Sequence, residues 1–257
     1  MSNYNIAAVG VSIPSLGDNN ISIYSMESLS SFDIIIFRPC LPNFYGYGSI
    51  NFSNGGNALN YDGYKDFKKQ TAHWFAELND ALIQKKTVLI LTVPNEDVRY
   101  STGYNSPRKG ETVYSTGLDN VFQHILPYIP KMRESRSSEI FVCKNDISSL
   151  VKKLLDSCKE HTIHEVIFIE AEKSCIPLLM TKSKQKVAFI FNSKTGGRLI
   201  FWPNINFEFK GSLYRKNDKG YWTDKAMTFG KAFLKSLVEL NKSFEGICES
   251  APDWVLV

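Results

Sequence analysis

An arginine and a cysteine lie at the end of the first of two strand-like apolar runs. Residues 32–39 (FDIIIFRP) have the composition of a strand buried on both faces; Arg38 lies within the run and Cys40 follows it. A guanidinium close to a thiol favours the thiolate, the nucleophilic form of cysteine. Cys40 is therefore a candidate catalytic residue, and Arg38 a candidate ligand-binding residue. The alternative is a packed cysteine, because prolines flank it and no candidate base is close in sequence.

Charged residues follow the second apolar run, residues 86–94 (KTVLILTVP). In α/β folds, ligands bind beyond the carboxyl ends of the strands, where these residues are expected to lie. Glu96 and Asp97 are therefore candidate catalytic carboxylates, and Arg99 is a candidate ligand-binding residue. The alternative is a loop closed by salt bridges among these three residues.

The tetrapeptide YSTG occurs twice, at residues 100–103 and 114–117, with a turn-like PRKG segment between the copies. This echo favours a β-hairpin that brings the two copies opposite each other. The alternative is a binding loop with paired hydroxyls, in which Ser115 would contact a ligand.

Neither a phosphate-binding loop nor a metal site is indicated. The turn at residues 12–17 contains no GxGxxG and no GxxxxGK[ST], whose glycines let backbone N–H groups approach phosphate oxygens. Residues 161–165 (HTIHE) differ from the HExxH arrangement of zinc proteases and precede a strand-like run. We therefore expect no cofactor and no metal.

The composition is that of a globular protein with a mild positive charge. The chain has 257 residues, is 43% hydrophobic and carries a formal net charge of +4, too little to favour a nucleic-acid partner. Its five cysteines form no CxxC pair, which favours free thiols in a reducing compartment. Because we see neither a signal peptide nor an apolar run of about 20 residues, we expect a cytoplasmic protein with no membrane segment.

The hydrophobic pattern alternates between strands and helices. Apolar runs predict strands at 5–11, 21–26, 32–39, 87–93, 140–143 and 166–170; three-and-four spacing predicts helices at 64–85, 146–158 and 223–244. Residues 187–191 and 198–202 flank KTGG, a hairpin signature. We therefore predict one α/β domain over 1–257, with an open, mostly parallel, Rossmann/flavodoxin-like sheet, helices on both faces and an added antiparallel hairpin. Long loops are expected at about 40–63 and 95–117.

Two segments have the composition of a protein interface. The first loop contains Phe44, Tyr45 and Tyr47, and aromatic residues are enriched where proteins meet. The segment APDWVLV at 251–257 is apolar and contains Trp254 and Leu256. It is predicted to dock onto its own domain, with insertion into a partner as the alternative.

The segments SLSSFDIIIF, KKTVLIL and KVAFIFNSKTGGRLIFW, in this order, resemble class I glutamine-amidotransferase-like proteins, including the ThuA-like branch. The resemblance covers about residues 5–94 and 185–203 and implies the scaffold. Amidotransferases carry a cysteine nucleophile in a Gly-x-Cys-x-Gly elbow after the strand that corresponds to 87–93, where this chain has Pro94-Asn95-Glu96. The difference argues against glutamine hydrolysis, because a fold alone does not carry a function.

These observations favour a noncatalytic α/β binding or sensor module that works inside a larger assembly, with another protein as its partner. The alternative is a small-molecule hydrolase or transferase with its site at the C-terminal rim of the sheet. A small-molecule ligand is compatible with either hypothesis.

If the apolar segment inserts into the partner, deletion of residues 251–257 should abolish partner binding and leave the fold intact. The measurement is co-purification of the partner with the full and shortened chains, with circular dichroism as the control for folding. Unchanged binding would contradict the role of the segment.

Overall fold

The computed structural model describes residues 4–39, 49–51, 57–93, 97–108, 111–120, 125–128, 130–134, 139–163, 166–170, 175–205, 215–216 and 221–244. The strands are β1 Ile6–Val9, β2 Asn20–Ile21, β3 Ile34–Phe37, β4 Ser49–Asn51, β5 Asn57–Leu59, β6 Thr87–Thr92, β7 Asp97–Arg108, β8 Glu111–Asn120, β9 Lys131–Glu134, β10 Ile140–Val142, β11 Thr162–Ile163, β12 Val166–Glu170, β13 Ile176–Thr181, β14 Lys186–Asn192, β15 Arg198–Ile205, β16 Arg215–Lys216 and β17 Tyr221–Trp222. The helices are α1 Tyr61–Ile83, α2 Ser148–Cys158 and α3 Asp224–Ser243.

The central sheet has the strand order β10-β13-β14-β15-β6-β3-β1-β2, with β9, β11 and β12 paired to the side of this path. Pairing is parallel from β2 through β1, β3 and β6 to β15, and antiparallel from β15 to β10. Ile34, Thr87 and Arg198 are level in the register, so three neighbouring parallel strands begin at one edge. The predicted hairpin at KTGG is confirmed as β14–β15.

Helices cover both faces of the central sheet. Phe67, Trp74 and Leu78 of α1 share a hydrophobic cluster with Ile35 and Ile90. The opposite face packs against α2 and α3; its cluster includes Leu154, Phe233, Leu237, Ile36 and Leu89. β3 and β6 are buried along their whole length because both of their faces are covered. The α/β fold class expected from the sequence is therefore confirmed.

Side chains cap the amino termini of the two long helices, at or near the predicted helix starts. The Asn60 side chain accepts a hydrogen bond from the Gly63 backbone N–H at 2.7 Å, so α1 begins at Tyr61, three residues before the prediction. Thr223 caps α3 by accepting from the Ala226 N–H at 3.3 Å, at the predicted start of this helix. The Trp74 indole N–H of α1 donates to the Ile23 carbonyl at 2.8 Å, so this fully buried polar atom is paired.

The structure places strands in both stretches that were expected to be long loops, and it shortens one predicted strand. The stretch 40–63 contains β4, β5 and the start of α1, and most of 95–117 belongs to the β7–β8 hairpin. These four strands form a second sheet in the order β4-β5-β7-β8, called here the hairpin sheet. The strand expected at 21–26 is reduced to β2, because the chain turns where the Ser25 N–H donates to the Ser22 carbonyl at 2.9 Å.

Candidate functional site

The carboxyl ends of β1, β3, β6 and β15 lie at one edge of the central sheet, here called the carboxyl rim and represented by Gly10, Arg38, Val93 and Asn204. The predicted ligand-binding residue Arg38 follows β3 directly and is half-buried. Its backbone N–H donates to the Val9 carbonyl at 2.9 Å, which holds the start of the following segment against β1.

Two polar atoms at the carboxyl rim are buried and have no hydrogen-bond partner within the described ranges. They are Nε of Arg38 and Oδ1 of Asn204. Asn204 is only 4% exposed. By the alternation of strand side chains, Arg38 lies on the same sheet face as Ile36, and Asn204 on the same face as Trp202; Ile36 and Trp202 both belong to the cluster beneath α3.

Arg38 Nε supplies the carboxyl rim with a hydrogen-bond donor, and Asn204 Oδ1 supplies it with an acceptor. An unpaired buried polar group costs about 1–3 kcal/mol, so native proteins keep few of them. Near these atoms, the Thr92 hydroxyl donates to the Trp202 carbonyl at 3.1 Å and is therefore satisfied. A polar ligand with both an acceptor and a donor would complement Arg38 and Asn204.

The structure separates the predicted rim residues. Arg99 lies in the hairpin sheet, is exposed, and pairs in register with Leu118 of β8. Asp97 begins β7 opposite Asn120, and Ser115 lies within β8; for these two only the backbone is described. The remaining predicted site and interface residues lie outside the described ranges: Cys40, Glu96, Phe44, Tyr45, Tyr47, Trp254 and Leu256.

The repeated YSTG tetrapeptide has a structural explanation. The hairpin prediction is confirmed, with Tyr100 opposite Gly117 and Ser101 opposite Thr116. The Tyr100 ring lies over Gly117 so closely that a Cβ there would collide with it. On its other side, the ring stacks on Tyr64 of α1 with centroids 3.7 Å apart and planes at 4°. The tyrosine of one copy therefore needs the glycine of the other.

Two of the described cysteine thiols, Cys143 and Cys158, are held in their protonated form. Burial raises the pKa of Cys158 to about 11, although the Thr162 hydroxyl and the Trp202 indole partly lower it. Burial also raises the pKa of Cys143. Cys143 and Cys158 are therefore poor nucleophiles at neutral pH, because the thiolate is the reactive form.

The sequence analysis missed Asn204. Its strand ends three residues beyond the predicted boundary of 202, and no motif distinguishes this asparagine from a surface residue. Its position at the carboxyl rim results from β15 pairing with β6, which brings together residues over a hundred positions apart in sequence.

Comparison with known proteins gives no match: no family model, curated protein or solved structure is similar to the chain. The amidotransferase resemblance therefore stays a prediction. Among the described residues, no helix is long and apolar enough to cross a membrane. Nor does the described part of the chain contain a cluster of three His, Cys, Asp or Glu residues that could hold a metal ion.

Asn204→Leu should leave the free energy of unfolding unchanged or raise it by up to about 2 kcal/mol, because it removes a buried acceptor that has no partner. Thr92→Val is the matched control: it is also buried, but it loses a hydrogen bond and should lower stability by about 1 kcal/mol. Urea denaturation measures both. A larger loss for Asn204→Leu than for Thr92→Val would show that Asn204 is a structural residue.

Proposed function

We propose that the chain is a noncatalytic α/β binding module of a larger assembly, and that its partner adds a strand to β8. The observation that carries this proposal is the free edge of the hairpin sheet. β8 is ten residues long, and within the described ranges it pairs with β7 alone. An unpaired strand edge presents a row of N–H and C=O groups that an extended peptide can bind.

Length distinguishes β8 from the other sheet edges. Among the described strands, β2 has two residues, β4 and β10 have three each and β9 has four, so none could form as long a ladder with another chain as β8. The ten residues of β8 leave room for several main-chain hydrogen bonds, each worth about 0.5–1.5 kcal/mol.

The sequence of β8 lacks the usual protection of an edge strand. Natural edges carry lysine, proline or inward-pointing charges that prevent pairing with other chains. β8 (ETVYSTGLDN) has no lysine or proline, and its charged residues, Glu111 and Asp119, lie near its two ends. The neighbouring strand β7, which pairs with β8 along its length and with β5 at Tyr100, contains Pro107 and Arg108 instead.

Apolar side chains next to this edge supply contact area. Leu118 of β8 is 64% exposed and Tyr104 of β7 is 79% exposed. Full burial of one such side chain contributes about 1.5–3 kcal/mol. Main-chain pairing would therefore supply affinity, and these two side chains would supply selectivity.

Leu118→Lys should weaken partner binding by about tenfold or more, because it charges the edge and removes an apolar contact. Ile83→Lys is the matched control, since Ile83 is an apolar residue of α1 that is 51% exposed and lies outside the hairpin sheet. Binding is measured with the partner that co-purifies from the host. Amide hydrogen exchange of β8 in the complex gives the second measurement.

Protection of β8 amides in the complex, together with selective loss of binding in Leu118→Lys, would support strand addition. A partner that binds both variants equally and leaves β8 amides unprotected would rule it out.

A second candidate function is a hydrolase or transferase acting on a small polar substrate at the carboxyl rim. Arg38 Nε and Asn204 Oδ1 favour it, since a ligand would supply partners for these buried atoms. The scaffold that the amidotransferase resemblance implies is compatible with a site at this edge.

If the second candidate is right, Cys40→Ala and Glu96→Ala should remove turnover without lowering the unfolding midpoint, because both residues would act on the substrate rather than in packing. Turnover is measured against a panel of small esters, amides and phosphoesters. Cys143→Ala is the control, as its thiol is protonated at neutral pH. Activity that survives in both variants would exclude these residues as catalytic.

A further inference from the structure

A cleft of about 540 Å³ opens at the amino ends of the parallel strands, the sheet edge opposite the carboxyl rim. This volume is typical of pockets for small ligands. Its polar lining includes Lys85, Lys86, Lys194, Thr195, Arg198 and Asn241, and we call it the basic cleft.

The walls of the basic cleft come from distant parts of the chain. Lys85 and Lys86 follow the end of α1, Lys194 and Thr195 lie in the β14–β15 turn, and Asn241 lies near the end of α3. The turn is fixed against α1, since the Thr195 hydroxyl donates to the Leu82 carbonyl at 2.7 Å. A side chain at Gly197 would collide with the same residue. The two lysine-bearing walls are therefore held close together.

The positive charge of the basic cleft exceeds what its surroundings neutralise. The carboxyl-terminal ends of α1 and α3 lie here, and each carries about half a negative charge from the helix dipole. The only acidic residue in the described lining is Asp33, whose Oδ2 accepts a hydrogen bond from the Asn5 N–H at 2.8 Å. Among the described residues, these groups together offset about two of the four basic residues, so roughly two positive charges remain there.

Some donors of the basic cleft are buried and fixed by hydrogen bonds, and others are exposed at its opening. Arg198 is 8% exposed, and its Nη2 donates to the Phe244 carbonyl at 3.0 Å. Asn241 Oδ1 accepts from the Thr87 hydroxyl, which fixes the orientation of its amide group in the wall of the cleft. Lys85 and Lys194 are exposed and can close around an anion.

The backbone at Lys85 also favours a role for its charge. Its φ of +62° lies in the left-handed region, where glycine is the usual residue after a helix. A lysine is kept there despite the strain, and residues in strained conformations cluster at ligand-binding positions.

We propose that the basic cleft binds a small phosphate-bearing molecule. The surplus of about two positive charges matches a phosphate dianion, and lysine and arginine with amide donors are the groups that bind phosphate. This site lies at the opposite sheet edge from the carboxyl rim and is independent of strand addition on β8.

Pyrophosphate, titrated calorimetrically into the full chain at about 0.1 M salt, tests this proposal. The variant Lys85→Gly/Lys194→Ala should bind about tenfold or more weakly, because it loses two charged donors. Its unfolding midpoint should not fall, since glycine relieves the strained backbone at residue 85. The loss of affinity would then not be a loss of folding.

The control variant Lys152→Ala/Lys231→Ala removes the same charge from exposed positions of α2 and α3, and it should bind pyrophosphate like the original chain. Equal weakening in both double variants would show a non-specific effect of net charge. No measurable binding up to about 10 mM pyrophosphate would equally overturn the proposal.

Discussion

The fold depends on burying both faces of β3, β6 and β15. None of these strands presents a solvent-facing side, so the sheet is stable only with α1 on one face and α2 with α3 on the other. A helix that connects or follows parallel strands runs back along them, which brings the ends of α1 and α3 to the amino edge. The strands leave their carboxyl ends at the opposite edge. The need to cover both faces of the sheet therefore gives it two different edges: helix ends lie at the amino edge, and strand ends lie at the carboxyl edge.

The same constraint explains which parts of the fold the sequence could predict. Runs without a polar face, such as KTVLILTVP, indicate central strands, and the amphipathic pattern of residues 64–85 indicates a helix that covers them. β4 and β5 are three residues long and lie among glycines and asparagines, so their pairing leaves no periodic signal. β2 is shortened because a local turn at Ser22 prevails over an alternating pattern.

Candidate sites were harder to predict than the fold, since they are assembled from residues distant in sequence. Arg38 could be found because it directly follows an apolar run, whereas Asn204 acquires its environment only when β15 pairs with β6. The basic cleft likewise combines a helix end, a hairpin turn and a second helix, and its lysines are unremarkable in the sequence. The turn residues Thr195 and Gly197 predicted a hairpin but gave no sign that it would lie against α1.

The hairpin sheet shows how a repeated motif that could form a binding loop can serve instead to fix a hairpin against a helix. Tyr100 is held between Gly117 and the Tyr64 ring, so the β7–β8 hairpin is fastened to α1 by a stacked pair of rings. Stacking of this kind is worth about 0.5–1.5 kcal/mol beyond the area it buries. A strand edge that is already ordered loses less conformational entropy when a partner binds, so more of the interaction energy remains as affinity. Tyr100 and Gly117 of the repeated YSTG tetrapeptide would therefore affect binding indirectly, through the rigidity that they give to β8.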